Sequence, residues 1–190
     1  MIKKEIETSL NESIRVKSEL LSSSIETIAE IAAITVNAFK AGNSLYLMGN
    51  GGSAADAQHI SGELVGRYKK DRKALPALAL TTNTSVLTAV SNDFGYDLCF
   101  EKQIEAFVKN GDVVFGLSTS GNATNVINAI KLARKMGART IGFTGKDGGM
   151  LKDYVDVCLM VPSSETPRIQ ECHITVGHIM CSIIEKELFD

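Results

Sequence analysis

Residues 45–53 read Leu-Tyr-Leu-Met-Gly-Asn-Gly-Gly-Ser, an apolar run of strand length that leads straight into a glycine-rich turn. Glycine lets a backbone turn tightly and approach a ligand closely. Ser53 then stands where the N-cap of a following helix is expected, and the free N–H groups of that helix would face the turn. We call Gly49–Ser53 loop 1. It is predicted to bind an anion, and the alternative is a plain strand-to-helix turn.

The chain after Gly42 continues this alternation of short apolar runs and helical segments. The expected strands are Leu45–Met48, Ala77–Leu80, Val113–Leu117, Thr140–Phe143 and Val155–Val161. The expected helices are Ser53–Gly66, Ser85–Asn92, Phe100–Lys109, Asn122–Met136 and Thr166–Phe189. Because parallel strands need right-handed helical crossovers, the pattern predicts an α/β fold: a doubly wound, five-stranded parallel sheet with helices on both faces. Such sheets bind ligands at the carboxyl ends of their strands, where the strand order reverses.

The first 41 residues are helical in pattern and contain no strand signal. Apolar residues recur every four positions at Ile2, Ile6, Leu10 and Ile14. The cluster Ser22–Ser24 separates two helices, and Ser24 is expected to cap the second. A sheet that is already covered on both faces cannot bury this stripe, so we expect it to pack against partner chains. The prediction is a single domain over residues 1–190, in which residues 1–41 form an N-terminal helical oligomerisation arm.

Composition excludes several classes of protein. The 190 residues carry 20 basic and 22 acidic side chains, and the net charge of −2 gives no general attraction to nucleic acid or to an anionic membrane. No apolar run reaches the ~20 residues of a membrane span, and the first 20 residues do not resemble a secretory signal. The four cysteines form no C-x-x-C pair, which indicates reduced thiols and a cytoplasmic protein.

A second polar turn follows the third expected strand. Ser118-Thr119-Ser120-Gly121-Asn122, which we call loop 2, places three adjacent hydroxyls before a helix, although one would suffice as a cap. Hydroxyls and the N–H groups of a helix N-terminus suit the oxygens of a phosphate monoester. The alternative is a polar turn with a cap. Loop 3, Thr144–Gly149, is interpreted as a structural turn.

Nucleotide binding is not expected. Gly49-x-Gly51-x-x-Ala54 fits the loose dinucleotide pattern, but the next strand ends in Leu-Thr-Thr-Asn at residues 80–83, without the acidic residue that holds the ribose. Residues 142–147 have the wrong glycine spacing for a P-loop, and Asp147 follows Lys146.

Two expected helices carry residues that suit a metal. His59 and Glu63 are four apart, which puts both on one helix face, and Arg67 follows one turn later. On the last helix Gln170 and His178 are eight apart and differ by about 80° in direction. Two imidazoles, a carboxylate and an amide oxygen form a donor set for a divalent metal such as zinc. A solvated His–Glu pair is the alternative.

Two other features receive structural interpretations. His173 lies about 60° from Gln170 on the side away from His178, so it is expected in packing or in an interface. The charged run of residues 67–73 is expected to be a solvated loop.

Taken in chain order, these motifs together resemble the bacterial phosphoheptose isomerases, a family of sugar isomerase (SIS) domain proteins. The resemblance is carried by Gly49–Ser53, His59-x-x-x-Glu63-x-x-x-Arg67-Tyr68, Ser91-Asn-Asp-Phe-Gly95, Ser118–Asn122, Thr144–Gly149, and Arg168-Ile-Gln170 with His178. It extends over essentially the whole chain, including the N-terminal helices.

The resemblance implies a SIS fold and an enzyme. The implied reaction converts sedoheptulose 7-phosphate to D-glycero-D-manno-heptose 7-phosphate by an enediol proton transfer, the first step toward activated heptose for lipopolysaccharide core or other surface glycans. It also implies a cytoplasmic homotetramer, with the N-terminal helices in a central bundle and the active sites between subunits. One zinc ion per subunit is expected.

The resemblance also implies roles for individual residues. Substrate contacts are expected from Asn50, Gly51, Gly52, Ser53, Glu63, Arg67, Asn92, Asp93, Ser118, Thr119, Ser120 and Gln170. The implied metal ligands are His59, Glu63, Gln170 and His178. Glu63 is the candidate base and His178 its acid/base partner. Ala123 stands where the family commonly has Ser, which removes one hydroxyl contact to phosphate.

Two rival interpretations remain at this point. One is a non-catalytic SIS module that binds a protein such as a replication initiator, which would have no need for the His, Glu and Gln set. The other is a different sugar-phosphate enzyme of the SIS class, such as a pentose-phosphate isomerase.

Overall fold

The computed structural model describes residues 1–190 and contains one five-stranded sheet. The strands are β1 (Leu45–Gly49), β2 (Ala77–Ala79), β3 (Val113–Leu117), β4 (Arg139–Gly145) and β5 (Val157–Val161). All pairings are parallel, in the order β2-β1-β3-β4-β5. The predicted doubly wound parallel sheet is confirmed. Its order reverses at β1, which lies between β2 and β3.

Seven α-helices surround the sheet. They are α1 (Ile2–Ser23), α2 (Ile25–Lys40), α3 (Gly52–Val65), α4 (Thr84–Phe94), α5 (Glu101–Phe107), α6 (Thr124–Lys135) and α7 (Thr166–Phe189). Short 3₁₀ turns occur at Tyr96–Leu98 and Leu151–Asp153. Helices α2, α3 and α7 share one core with Leu47 and Phe115, whereas α5 and α6 share a second core with Met48 and Val114. Alternate strand residues therefore face opposite layers, as a doubly wound sheet requires. None of the helices combines the length and the apolarity that a membrane crossing needs.

Several helix starts differ from the sequence expectation. Helix α3 begins at Gly52, because Gly51 adopts a φ of 55° and serves as the N-cap, so Ser53 lies inside the helix and is not its cap. Ser24 does precede α2, but its hydroxyl makes no cap and pairs with the Ser23 hydroxyl at 3.2 Å. Helix α6 begins at Thr124, two residues later than expected.

Helix α1 is attached to the rest of the chain along only part of its length. Val16 and Leu20 are its buried residues. The Ser13 hydroxyl donates to the Glu171 carboxylate at 2.7 Å, and Arg168 donates to the Ser9 carbonyl. The apolar stripe of the first half of α1 stays exposed in a single copy. This face is unsatisfied unless another surface covers it.

The expectation of a solvated loop at residues 67–73 was wrong at Arg72. The Arg72 and Glu185 side chains are each 2% exposed, and Arg72 Nε donates to Glu185 Oε1 at 3.1 Å. The guanidinium also donates to the carbonyls of Glu63 and Leu64, which close the end of α3. This loop is therefore fixed by a buried ion pair with α7.

Glu185 also binds the backbone of residues 68–70 directly. Its carboxylate accepts hydrogen bonds from the backbone N–H groups of Tyr68, Lys69 and Lys70. Burial alone would raise the pKa of Glu185, but these three donors and Arg72 outweigh it and hold that pKa below its usual range. Residues 68–70 are thereby held against α7.

His173 is a core residue, as the sequence predicted. Its side chain is fully buried, and its Nε2 lies 3.2 Å from the Thr144 carbonyl, which can only accept, so Nε2 carries the proton. Burial lowers the pKa of His173 to about 4, since a charged imidazole would be desolvated there. The residue is neutral at pH 7 and supports loop 3 from beneath.

Candidate active site

Loops 1 and 2 lie beside each other because β1 and β3 are neighbours and the two loops follow their carboxyl ends. Between them is an open cavity of about 320 Å³. Its lining comprises Asn50, Gly51, Gly52, Ser53, Leu117, Ser118, Thr119, Ser120, Ala123, Thr166 and Gln170. The cavity sits where the strand order reverses, the usual ligand position in such sheets. Eight of the twelve residues expected to contact substrate line it.

The cavity is rich in hydrogen-bond donors. The backbone N–H groups of Gly51, Thr119 and Ser120 have no acceptor within the protein. Helices α3 and α6 both begin at its wall, and the residues that precede them, Gly51 and Ala123, make no side-chain cap. Unpaired N–H groups, helix N-termini and three hydroxyls are donors that suit the oxygens of a phosphate group.

Loop 3 supports loop 2 from behind, in agreement with its structural interpretation. The backbone N–H of Gly145 donates to the Thr119 carbonyl at 3.0 Å. Directly after loop 3, the N–H of Leu151 donates to the Gly121 carbonyl at 2.9 Å, and that of Met150 donates to Asn122 Oδ1 at 3.0 Å. Gly121 has a φ of 65°, and a Cβ there would lie 2.0 Å from the Gly148 carbonyl oxygen. Only glycine fits this position, so the path of loop 2 depends on it.

His59, Glu63 and His178 form a second polar group, which we call the His–Glu cluster. His59 Nε2 lies 2.9 Å from His178 Nε2 and 3.2 Å from Glu63 Oε1. Helices α3 and α7 approach closely beside it, because Gly177 has no side chain. A Cβ on Gly177 would lie 2.7 Å from the Ile60 side chain. The Tyr68 ring stacks on His178 at 5.8 Å between centroids. The structure thus brings together three of the four residues predicted to hold a metal.

The donor atoms of this cluster fit a divalent metal. One atom from each residue can be chosen so that all three lie within 4.8 Å of one another. Tetrahedral zinc with ligands at ~2.0–2.1 Å keeps them about 3.3 Å apart, close to the two distances above. Two imidazoles and a carboxylate are also donors that zinc prefers.

Gln170, the fourth predicted ligand, lies about two turns before His178 on α7. Its amide is turned toward loop 1, where a Cβ on Gly52 would lie 2.5 Å from Gln170 Nε2 and Oε1. In this conformation Gln170 belongs to the cavity between the loops. It is therefore placed to contact a ligand that extends from the cavity toward the His–Glu cluster.

Comparison with known proteins identifies the family. A family model described as the SIS domain matches residues 10–145. The phosphoheptose isomerase of Clostridium acetobutylicum is 54% identical over 97% of this chain and 95% of its own length. The chain belongs to the phosphoheptose isomerase family. The phosphoheptose isomerase structures from Neisseria gonorrhoeae and Francisella tularensis match it with TM-scores of 0.93 and 0.95, at 41% and 32% identity. Each match covers 98% of this chain and at least 99% of the other.

Four residues expected to contact substrate lie outside the cavity in a single copy of this chain: Glu63, which belongs to the His–Glu cluster, and Arg67, Asn92 and Asp93. Arg67 is exposed just beyond the end of α3. Asn92 and Asp93 are exposed near the end of α4, where the Asn92 amide donates to Asp93 Oδ1 at 2.8 Å. No residue of α4 is buried. The family resemblance implies sites between subunits, so the predicted roles of these exposed residues belong to an assembled site.

Asp56 was not among the predicted site residues, although it lies on the face of α3 that runs from loop 1 to the His–Glu cluster. Gly52, Asp56, His59 and Glu63 follow one another at spacings of four, three and four residues. Asp56 Oδ2 is buried without a hydrogen-bond partner. Burial raises the pKa of Asp56 to about 6, although nearby His59 partly offsets this. The helical spacing was the signal that could have revealed it.

Proposed function

We propose that this protein isomerises sedoheptulose 7-phosphate to D-glycero-D-manno-heptose 7-phosphate. The proposal is supported by the family membership and by one observation above all: a phosphate-type cavity and a proton-transfer cluster lie at two points along the same pair of helices. The comparisons give no support to a non-catalytic, protein-binding module.

The separation of the two groups suits a seven-carbon sugar phosphate. His59 follows Gly52 by seven residues on α3, which is about 10 Å of helix, and His178 follows Gln170 by eight, about 12 Å. An open seven-carbon chain with a terminal phosphate and bonds of ~1.5 Å spans about 10 Å. With its phosphate between loops 1 and 2, carbons 1 and 2 of such a substrate reach the His–Glu cluster.

The residues supply the steps of an aldose–ketose isomerisation. The loop N–H groups and hydroxyls hold the phosphate, and Gln170 orients the chain between the two groups. Glu63 takes a proton from one of carbons 1 and 2 and returns it to the other, and His178 exchanges protons with the oxygens on those carbons. A zinc ion, held by His59, Glu63 and His178 and by Gln170 once its amide turns from loop 1 toward them, would polarise the carbonyl oxygen when bound.

The decisive experiment is an isomerase assay with sedoheptulose 7-phosphate, with added zinc and after chelation. We expect the aldoheptose phosphate to form, and chelation to lower the rate at least tenfold if zinc serves as proposed. A ketopentose 5-phosphate, which is two carbons shorter, is expected to react at least tenfold more slowly, because its carbons 1 and 2 fall short of the cluster. Absence of heptose product under every metal condition would contradict the proposed function.

We further propose a cytoplasmic homotetramer with active sites between subunits and one zinc ion in each, acting in the supply of heptose for surface glycans. Four reduced cysteines, three of them buried, support a reducing location. An apolar groove of about 420 Å³ lies between α1, α2 and α7, and the stripe of Ile2, Ile6, Leu10 and Ile14 is exposed beside it. A second copy of the chain would bury both surfaces. Helix α4 also has no buried residue in a single copy, so it too is available to an interface.

The role of the N-terminal arm, residues 1–41, in oligomerisation can be tested by sedimentation. The intact chain is expected to sediment as a tetramer, and Leu10→Glu is expected to shift it toward smaller species because a charge enters the stripe. Glu7→Gln, also on α1, is the matched surface control. A wild-type chain that sediments as a monomer at micromolar concentration would refute the oligomerisation arm.

A further inference from the structure

Asn50 of loop 1 and Asn125 of α6 form a reciprocal pair of side-chain amides. Asn50 Nδ2 donates to Asn125 Oδ1 at 2.9 Å, and Asn125 Nδ2 donates to Asn50 Oδ1 at 2.9 Å. Asn125 is 3% exposed, so this pair is shielded from water on its side. Two such bonds in a poorly solvated place hold the two backbones at a defined separation.

The orientation of both amides is fixed by the backbone. The N–H of Val126 donates to Asn125 Oδ1 at 2.9 Å, and a backbone N–H can only donate. Asn125 must therefore present its oxygen to Val126 and its nitrogen to Asn50. Asn50 Oδ1 consequently accepts from Asn125 Nδ2 and, with its second lone pair, can accept from one further donor.

Tyr96 supplies that donor. Its hydroxyl lies 2.8 Å from Asn50 Oδ1, although more than half of the residue is exposed. Tyr96 begins the 3₁₀ turn directly after α4, three residues beyond Asp93. The Asn50 amide thus connects loop 1, the helix that follows loop 2, and the segment that carries Asn92 and Asp93.

We propose that Asn125 and Tyr96 are positioning residues that act through Asn50 to keep loops 1 and 2 at the separation a phosphate group requires. This rests on the proposed function and adds to it. Asn50 Oδ1 is already occupied by two donors, so the side chain of Asn50 serves chiefly as the link, and its loop contributes backbone N–H groups to the ligand. Ala123, directly after loop 2, carries no hydroxyl to bind phosphate, so phosphate binding depends more on the spacing of the remaining donors.

Tyr96→Phe is the sharpest variant, because it removes one exposed hydroxyl and leaves the ring in place. We expect KM for sedoheptulose 7-phosphate to rise about fivefold, the usual weight of one hydrogen bond, with kcat changed less than twofold. Tyr154→Phe is the matched control, since it removes a tyrosine hydroxyl outside this network, from a ring that packs under Lys131. Asn125→Ala should raise KM more, about 20-fold or above, and the double variant should fall short of the product of the two single effects.

Calorimetric titration with inorganic phosphate provides a readout that needs no turnover. The dissociation constant for phosphate should rise in Tyr96→Phe and Asn125→Ala but not in Tyr154→Phe, with the thermal midpoint of Tyr96→Phe unchanged. If Tyr96→Phe matches Tyr154→Phe in KM and in phosphate affinity, or lowers kcat alone, the positioning role is wrong. A wild-type protein that binds phosphate without isomerising the heptulose would instead refute the proposed function and leave this inference testable.

Discussion

Glu63→Gln is expected to lower kcat by about 10²- to 10⁴-fold, the usual contribution of a general acid–base group, while binding of sedoheptulose 7-phosphate persists. The amide keeps the size of the carboxyl and its place 3.2 Å from His59 Nε2, but it cannot accept a proton from carbon. The phosphate cavity at the start of α3 is about 16 Å away along the helix axis, so its donors are unaffected. Steady-state kinetics and calorimetric titration with the heptulose phosphate measure the two quantities separately.

The same variant separates two roles that Glu63 cannot fill equally well. A carboxylate bound tightly to a metal is a poorer base, and a His Nε2 that binds a metal cannot exchange protons through the same atom. Zinc content measured beside kcat resolves this: loss of turnover with zinc retained assigns Glu63 the base role, and loss of both assigns it to the metal. Glu105→Gln, an exposed carboxylate paired only with Lys102, is the control. Turnover near the wild-type rate in Glu63→Gln would remove Glu63 from the base role.

The sheet and the phosphate cavity were accessible from sequence because their signals are local. An apolar run followed by glycines or hydroxyls identifies a strand end, and parallel strands bring such ends to one edge. Loop 2 and the limits of β3 and α7 were predicted correctly on this basis. The start of α3 was misplaced by one residue, because the N-cap is set by the φ of Gly51 and not by the Ser53 hydroxyl.

Contacts between distant segments were not accessible in the same way. The helical spacing put His59 with Glu63 on one face, but the approach of α7 depends on the packing of Gly177 against Ile60. The Asn50–Asn125 pair joins residues 75 positions apart, and no periodicity marks either of them. Arg72 in a charged run looked solvated for the same reason, since its partner stands 113 positions away.

Arg72→Ala is expected to destabilise the fold by about 3–5 kcal/mol, because it leaves the buried Glu185 carboxylate without its counter-ion and the end of α3 without donors. For a chain of this size the thermal midpoint should fall by about 10 °C. The lowered pKa of Glu185 means that its contribution is present at neutral pH and is lost only as the pH falls through that value. Arg72→Lys should recover only part of the loss, because an ammonium cannot reproduce the guanidinium's contacts with two carbonyls and a carboxylate.

Arg15 provides the matched control for this prediction. It pairs with Glu12 and Glu19 on α1, but its side chain is 48% exposed, and exposed pairs contribute less than about 1 kcal/mol. Thermal unfolding of Arg15→Ala should therefore differ little from that of the wild type, while Arg72→Ala unfolds well below it. Equal shifts in the two variants would mean that the Arg72–Glu185 pair does not anchor residues 67–73. The comparison thus contrasts exposed ion pairs within one helix with a buried ion pair that joins distant segments and also binds backbone carbonyls.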